Sequence, residues 1–138
     1  MKEGFVFLDI ETTGLDFNRD EIIEIGIIAV GPDTKTASYH TMVRPMGDLP
    51  PRITALTGIT PDDLKDAPVI EEVMDDVLRL IGDFPIVGHN VSFDIAFLEK
   101  QFGCRLKNSL FDTLDLAQIA FPTAGSMRLE NLKELVGA

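Results

Sequence analysis

An α/β domain built on a mixed sheet is the fold this sequence predicts, on three observations. Three strand-like segments precede the first helix, turn residues join them closely, and two later strands each follow a helical segment. At 138 residues with 45% hydrophobic content, the chain can bury one sizeable core, so residues 1–138 read as a single domain. No linker, internal repeat or low-complexity stretch divides it.

Residues 5–10 read as the first strand, with Val6, Leu8 and Ile10 on one face and Phe7, Asp9 and then Glu11 on the other. Both faces look largely apolar, which places this strand in the middle of the sheet. Residues 14–20 supply a turn, 22–30 a long β-branched second strand, Gly31-Pro32-Asp33 another turn, and 36–43 a third strand. Such short connections predict an antiparallel meander. After a loop over 46–51, Pro51 starts a short helix to Leu56 that Gly58 stops, and Thr60-Pro61-Asp62-Asp63 has the cap, proline and acidic first turn of another.

Pro68 opens a longer helix with Val69, Val73, Val77, Leu80 and Ile81 along one face. Glu71, Glu72, Asp75, Asp76 and Arg79 take the other, as a solvated surface requires. Ile86-Val87 reads as a short buried strand, 92–102 as a helix stopped by Gly103, Leu110-Phe111 as a last strand, and 113–120 and 127–136 as helices. The order gives a five-stranded mixed sheet, an antiparallel meander followed by parallel strands, flanked by helices. This topology is ribonuclease-H-like; a doubly wound parallel sheet would alternate strand and helix from the start.

Asp9 and Glu11, two apart at the far end of a central strand, point the same way. Burying a lone carboxylate costs several kcal/mol unless it finds a partner, and two neighbours repel. A hard divalent cation of the Mg²⁺ or Mn²⁺ type resolves both costs. The bland alternative is a pair of acids at the sheet edge, hydrated or paired with lysine, and D-x-E alone is a weak motif. What strengthens it is the extension through Thr12, Thr13 and Gly14, because a glycine allows a tight turn at positive φ and lets backbone amides approach a phosphate.

A second constellation, Val87-Gly88-His89-Asn90-Val91-Ser92-Phe93-Asp94, follows a short strand and opens a helix. Asp94 falls in the first turn, where the helix dipole favours an anion. Taken singly, Asp94 reads as an ordinary first-turn acid and His89 as a hydrogen-bonded strand-end histidine. The phosphate-loop pattern GxxxxGK[ST] is absent, which argues against nucleoside triphosphate hydrolysis.

The net charge of −11 argues against broad duplex binding through a basic surface. A site that holds nucleic acid through cations escapes this locally, and delivery then falls to an attached domain or partner. Cys104, the single cysteine, makes neither an internal disulfide nor a zinc site. No run of about 18 apolar residues suggests a membrane span. A soluble, cytoplasmic protein with no membrane partner is expected.

DIETTG near the start, EIIEIG soon after, GHN-x-x-FD past the middle and DTLDLA beyond it resemble the DnaQ-like (DEDDh) 3′–5′ exonucleases. The resemblance extends over essentially all of the chain, including HTMVRP, LTGIT, the Ala67-Pro68 pair and RLENL. It is strongest toward proofreading domains of replicative polymerases, of the epsilon, PolC and DNA polymerase III kind, and toward exonuclease domains fused to DinG-type helicases. ETTG and FPTAGSMRL favour these over oligoribonuclease-type members.

The resemblance implies a two-metal exonuclease that releases mononucleotides from the 3′ end of single-stranded DNA in proofreading or repair, with RNA left open as substrate. Asp9, Glu11 and Asp94 would be three of its four metal-coordinating, catalytic acids, with two Mg²⁺ or Mn²⁺ ions. The backbone around Thr12, Thr13 and Gly14 would hold the terminal nucleotide, and Leu56, Thr57, Asn90 and Phe93 would line the pocket for the last bases. Glu24, Asp112 and Asp115 are left as structural, with Arg44 or a backbone amide as the expected partner of Glu24.

Members of this family carry a third motif, H-x-x-x-x-D, which supplies a general base and the fourth acid. His89 and Asp94 have that spacing but belong to the second motif, and His40 has no suitable aspartate after it. The expectation is therefore a domain lacking its C-terminal catalytic motif, truncated and with little or no activity. A rival keeps the fold without the enzyme, as a module that binds nucleic acid or a polymerase or helicase partner. A phosphatase with Asp9 as nucleophile fits worse, since D-x-D on a parallel-sheet strand is the usual pattern there.

Overall fold

Alternation of Val6, Leu8 and Ile10 with Phe5, Phe7 and Asp9 produces the first strand, β1 (Phe5–Thr12), with every second side chain buried. The computed structural model describes residues 4–33 and 35–115. β2 (Ile22–Val30) and β3 (Thr36–Met42) complete an antiparallel meander with β1, while β4 (Ile86–Gly88) and β5 (Leu110–Asp112) add parallel to its other side. The sheet order is β3-β2-β1-β4-β5, so β1 is central and the mixed five-stranded topology expected from the sequence is the one observed.

Four helices join these strands: α1 (Pro51–Thr57), α2 (Pro61–Leu64), α3 (Ile70–Ile81) and α4 (Val91–Phe102). Residues 113–115 are helical, and the rest of the helix expected over 113–120, together with that over 127–136, lies outside the described residues. α1 ends at Gly58, whose φ of +81° is the left-handed conformation glycine adopts without strain. α2 has a full capping box, the Thr60 hydroxyl accepting from Asp63 N–H and the Asp63 carboxylate from Thr60 N–H. Ile53, Ile59 and Leu64 pack on Ile23 and tie both short helices to β2.

α3 starts later than the proline suggested. Pro68 lies outside the helix and Val69 is still extended, and the Glu72 carboxylate accepts the Val69 N–H at 3.3 Å. The buried stripe is therefore Ile70, Val73, Val77 and Ile81, with Val69 at the cap and Leu80 only half-buried. Together with Phe97, Leu98 and Phe102 of α4 it covers Val6, Leu8 and Ile10.

Both long helices thus cover the same side of the sheet. The opposite face of β1 is apolar as expected, yet Phe5, Phe7, Ile28 and Phe111 are 36–52% exposed, so it is open where a second buried face was expected. Phe97 is fully buried where α4 meets the sheet. Asp94, one turn earlier on the same helix, is thereby held against β1. Phe97→Ala is expected to destabilise the fold by about 3–5 kcal/mol, as large-to-small core changes do. Urea unfolding followed by circular dichroism measures it, and a loss below ~1 kcal/mol would contradict this account of the core.

Candidate active site

Strand register assembles the first half of the site. Asp9 lies opposite Gly26 of β2, which in turn lies opposite His40 of β3, and Glu11 lies opposite Glu24. Between Glu11 and Thr12 the register shifts, and the chain leaves the sheet through Thr12, Thr13 and Gly14. Both threonines are buried, and their hydroxyls fold the loop rather than face outward. Thr12 Oγ1 donates to Gly14 O at 2.6 Å, while Thr13 Oγ1 donates to the Asp20 carboxylate at 3.3 Å and accepts from Glu21 N–H at 3.0 Å.

Gly14 is needed for a different reason than the expected positive φ. It is absent from the residues with left-handed backbone, but a Cβ in its place would collide with the Asp20 carboxylate. The Asp20 carboxylate fills that space and also accepts the Asp16 N–H at 3.0 Å. Close approach, not turn handedness, selects glycine here.

Chain reversal after β4 provides the second half. A Cβ on Gly88 would sit 2.9 Å from Val91 Cγ2 and 3.1 Å from Leu8 O, so glycine lets β4 and the start of α4 press against β1. Asn90 then takes a left-handed conformation, φ 60° and ψ 48°, the one non-glycine residue to do so among those described. The helix that follows carries Asp94 inward to 4% exposure.

Three carboxyls now share one region. Burial pushes the Asp94 carboxyl up to about 8, with the Asp9 charge adding to the rise and those of Glu11 and Asp112 contributing less, against a bond from the Ile10 backbone N–H. Asp9 is raised by burial and then by Glu24, and Glu11 by burial and then by Asp9 and Glu24. Desolvation and like charge outweigh the helix dipole expected to favour an anionic Asp94.

Among the described residues Asp94 Oδ2 is buried without a hydrogen-bond partner, and such an atom is rarely left so in a native fold. A divalent cation fits these residues: it would satisfy that oxygen and offset the mutual repulsion of three hard oxygen donors. The side chains do not already form a cage, since among the described residues no three His, Cys, Asp or Glu converge closely enough to hold a metal ion.

The other expected site residues divide. Asn90 and Phe93 stand at the start of α4 beside Asp94, Phe93 tilted against Phe97 with ring centroids 4.8 Å apart. Leu56 is 74% exposed on the last turn of α1, free to meet a ligand by apolar contact. Thr57 is less available, because its hydroxyl donates to Ile53 O and accepts from Ile59 N–H.

Glu24 pairs with His40, Nε2 to Oε2 at 2.6 Å, whereas the expected Arg44 donates to Ala67 O. His89 Nδ1 hydrogen-bonds Thr113 Oγ1 at 3.0 Å, and that hydroxyl also reaches Gly88 O at 3.3 Å. Asp20 and Glu21 escaped sequence reasoning as site-building residues. Glu21 accepts the N–H groups of Met46 and Gly47, fastening the loop ahead of α1 beside the ETTG turn. Beside Asp9 opens a hollow of about 560 Å³, with Phe7, Ile28, Tyr39, Val87 and His89 among its walls.

Comparison with known proteins shows the family and the fold. The family model described as exonuclease, RNase_T, matches residues 6–138. The 3′-5′ exonuclease DinG of Staphylococcus epidermidis is 43% identical over 134 residues, which is 94% of this chain and 15% of that protein. DinG of Staphylococcus aureus MRSA252 is 38% identical over 137 residues, 96% and 15% of the two chains. This chain therefore spans about 15% of the length of these relatives.

Among solved structures, exonuclease X in complex with 5′-overhanging duplex DNA superposes with a TM-score of 0.76 at 26% identity, over 96% of this chain and 73% of that one. A product-bound exonuclease I superposes at 0.81 with 21% identity, over 99% and 39% of the two chains, and shares the fold.

Two outcomes follow from the electrostatics and the loop packing. Because the folded Asp94 carboxyl titrates near 8 against 3.8 in the unfolded chain, the folded protein keeps a proton there that the unfolded one has lost. Stability of the chelator-treated chain therefore falls as pH rises between about 4 and 8 and levels off above. Asp94→Asn should melt several degrees higher than wild type near pH 9, match it near pH 4, and lose any stabilisation by Mn²⁺. Equal melting at high pH would refute the cause assigned. Gly14→Ala should lower stability by about 1–3 kcal/mol through overpacking, and Asp20→Ala in the same chain should add less than its own cost, a non-additivity that thermal melts of the double-mutant cycle read directly.

Proposed function

Since this chain belongs to the RNase_T exonuclease family, we propose that it is the catalytic domain of a 3′–5′ exonuclease that removes nucleotides from single-stranded DNA ends. The observation that carries the reading is the buried, unpartnered Asp94 oxygen beside Asp9 and Glu11. Carboxylates crowded at one point are costly, and a cation is the partner that makes the arrangement useful.

Asp9, Glu11 and Asp94 are the residues assigned to hold two Mg²⁺ or Mn²⁺ ions. Bound there, divalent ions supply a polarised phosphate, an activated water and charge stabilisation for the leaving 3′ oxygen. The protein's own part is positional. The loop through Thr12, Thr13 and Gly14, braced by Asp20, offers backbone to the terminal nucleotide. Leu56 and Phe93 provide apolar surface for the last bases and Asn90 a polar group, with Thr57 contributing mainly its place in the turn.

A proton acceptor is still required. His40 is engaged with Glu24 and His89 with Thr113, so neither is assigned as general base. A general base typically contributes about 10²–10⁴ in rate.

The strongly acidic surface gives weak affinity for nucleic acid on its own. Its kinship to DinG proteins over only about 15% of their length supports delivery by a further domain, a helicase in preference to a polymerase proofreading assembly. A cytoplasmic setting fits the single cysteine. Among the described residues no helix is long and apolar enough to cross a membrane.

Mononucleotide release from a 3′-labelled single-stranded oligonucleotide, with Mn²⁺ affinity from calorimetry, tests the reading. Asp9→Ala is expected to abolish both. Unchanged Mn²⁺ heat in Asp9→Ala would favour a nuclease-fold module without catalysis, and preference for an RNA oligonucleotide would reassign the substrate.

A further inference from the structure

We propose that Asp112 is a positioning residue for the acidic cluster: from the end of β5 its carboxylate fastens the start of α4 and so sets where Asp94 meets Asp9 and Glu11. This rests on the reading of those three acids as cation ligands.

The geometry begins with register. β5 runs parallel to β4 and its last pair is Asp112 opposite Gly88, two residues before α4 begins its cap at Asn90. Asp112 Oδ1 accepts the Asn90 N–H at 2.9 Å and the Leu114 N–H at 2.8 Å, while Oδ2 accepts the Val91 N–H at 3.0 Å. The helix does not cap itself, since Asn90 is left-handed and its side chain makes no cap hydrogen bond. A carboxylate from another strand does the work a cap side chain ordinarily does.

Two further contacts make the junction stiff. Thr113, next in sequence, hydrogen-bonds His89 Nδ1 and reaches Gly88 O, so both sides of the β4–α4 turn are pinned to the end of β5. Gly88 leaves no slack against Val91 and Leu8 O. Asp94 is three residues past Val91 on a continuous helix, so any movement of the first turn moves its carboxyl.

The identity of the residue supports the assignment. Another negative charge near Asp94 adds to the repulsion there, which is unfavourable unless the carboxylate is needed for something else. Three N–H donors shared by two oxygens need both to be acceptors. Asparagine would have only one.

Calorimetric titration with Mn²⁺ alone, on wild type, Asp112→Ala, Asp112→Asn and Asp9→Ala, tests this, with circular dichroism to confirm folding. Asp112→Ala is expected to bind Mn²⁺ about 10–100-fold more weakly, the usual cost of losing a residue that orients metal ligands. Asp112→Asn loses the same charge but keeps one acceptor, so it should retain clearly more affinity. Equal losses in the two would assign the effect to charge and overturn positioning, as would wild-type affinity in Asp112→Ala.

Should the alanine protein fail to fold, Asp112→Glu decides: it keeps the charge but shifts the carboxylate by a methylene, so weakened binding supports the proposal and wild-type affinity overturns it. Asp9→Ala separates the premise from the inference. Retention of Mn²⁺ binding in that variant would remove the cation-ligand reading itself, whereas its loss beside an indifferent Asp112→Ala would remove only the positioning role.

Discussion

Burial of Asp94 beside Asp9 is the constraint on which the rest of the structure turns. An acid at 4% exposure, with one oxygen unpartnered and a second carboxylate raising its proton affinity, works against the stability of the fold. The apolar contacts of α4 must outweigh that cost. Phe97 and Leu98, fully buried a turn beyond Asp94, supply the apolar contact that holds this helix face against β1. Core packing and functional strain are thus carried by neighbouring residues of one helix.

Around this acid, polar side chains from distant segments act as braces. Asp20 fills the space beneath Gly14, Glu21 ties the ETTG turn to the loop ahead of α1, and Asp112 joins the end of β5 to the start of α4. Each carboxylate accepts backbone N–H groups that would otherwise go unsatisfied in tight turns. The arrangement suits a site that must hold charged groups at fixed separations, because loops alone would relax away from one another. Much of the acidic character of the chain therefore has structural employment at the site, besides the solvated face of α3.

Strand periodicity, turn residues and the order of elements are local properties, and local physics was enough to read them. β-branched runs alternate, prolines and glycines punctuate, and the mixed sheet with a central β1 follows. Asp9 and Glu11 stood out for a related reason, as acids at the end of an apolar strand, whereas Asp94 read singly as an ordinary first-turn acid and joined them only through the resemblance to the exonuclease family. The start of α3 was misplaced by two residues because proline's fixed φ suits the run-up to a helix as well as its first turn, and here Val69, still extended, is the cap.

Pairings between segments far apart in sequence were decided by the tertiary structure alone. The partner of Glu24 is His40 and not Arg44, because cross-strand register and not residue type determines which side chains meet. Gly14 is required by the Asp20 carboxylate, a contact that backbone handedness could not reveal. Among the described residues the apolar outer face of β1 is partly exposed because both long helices fell on the Val6 side, and nothing in a strand's own alternation says which face a later helix will choose. Composition and periodicity therefore determined the fold and singled out the Asp9 and Glu11 pair at the end of its central strand. The strength of their coupling and the residues that brace them came only from chain packing, since an electrostatic interaction depends on distances that sequence spacing does not contain.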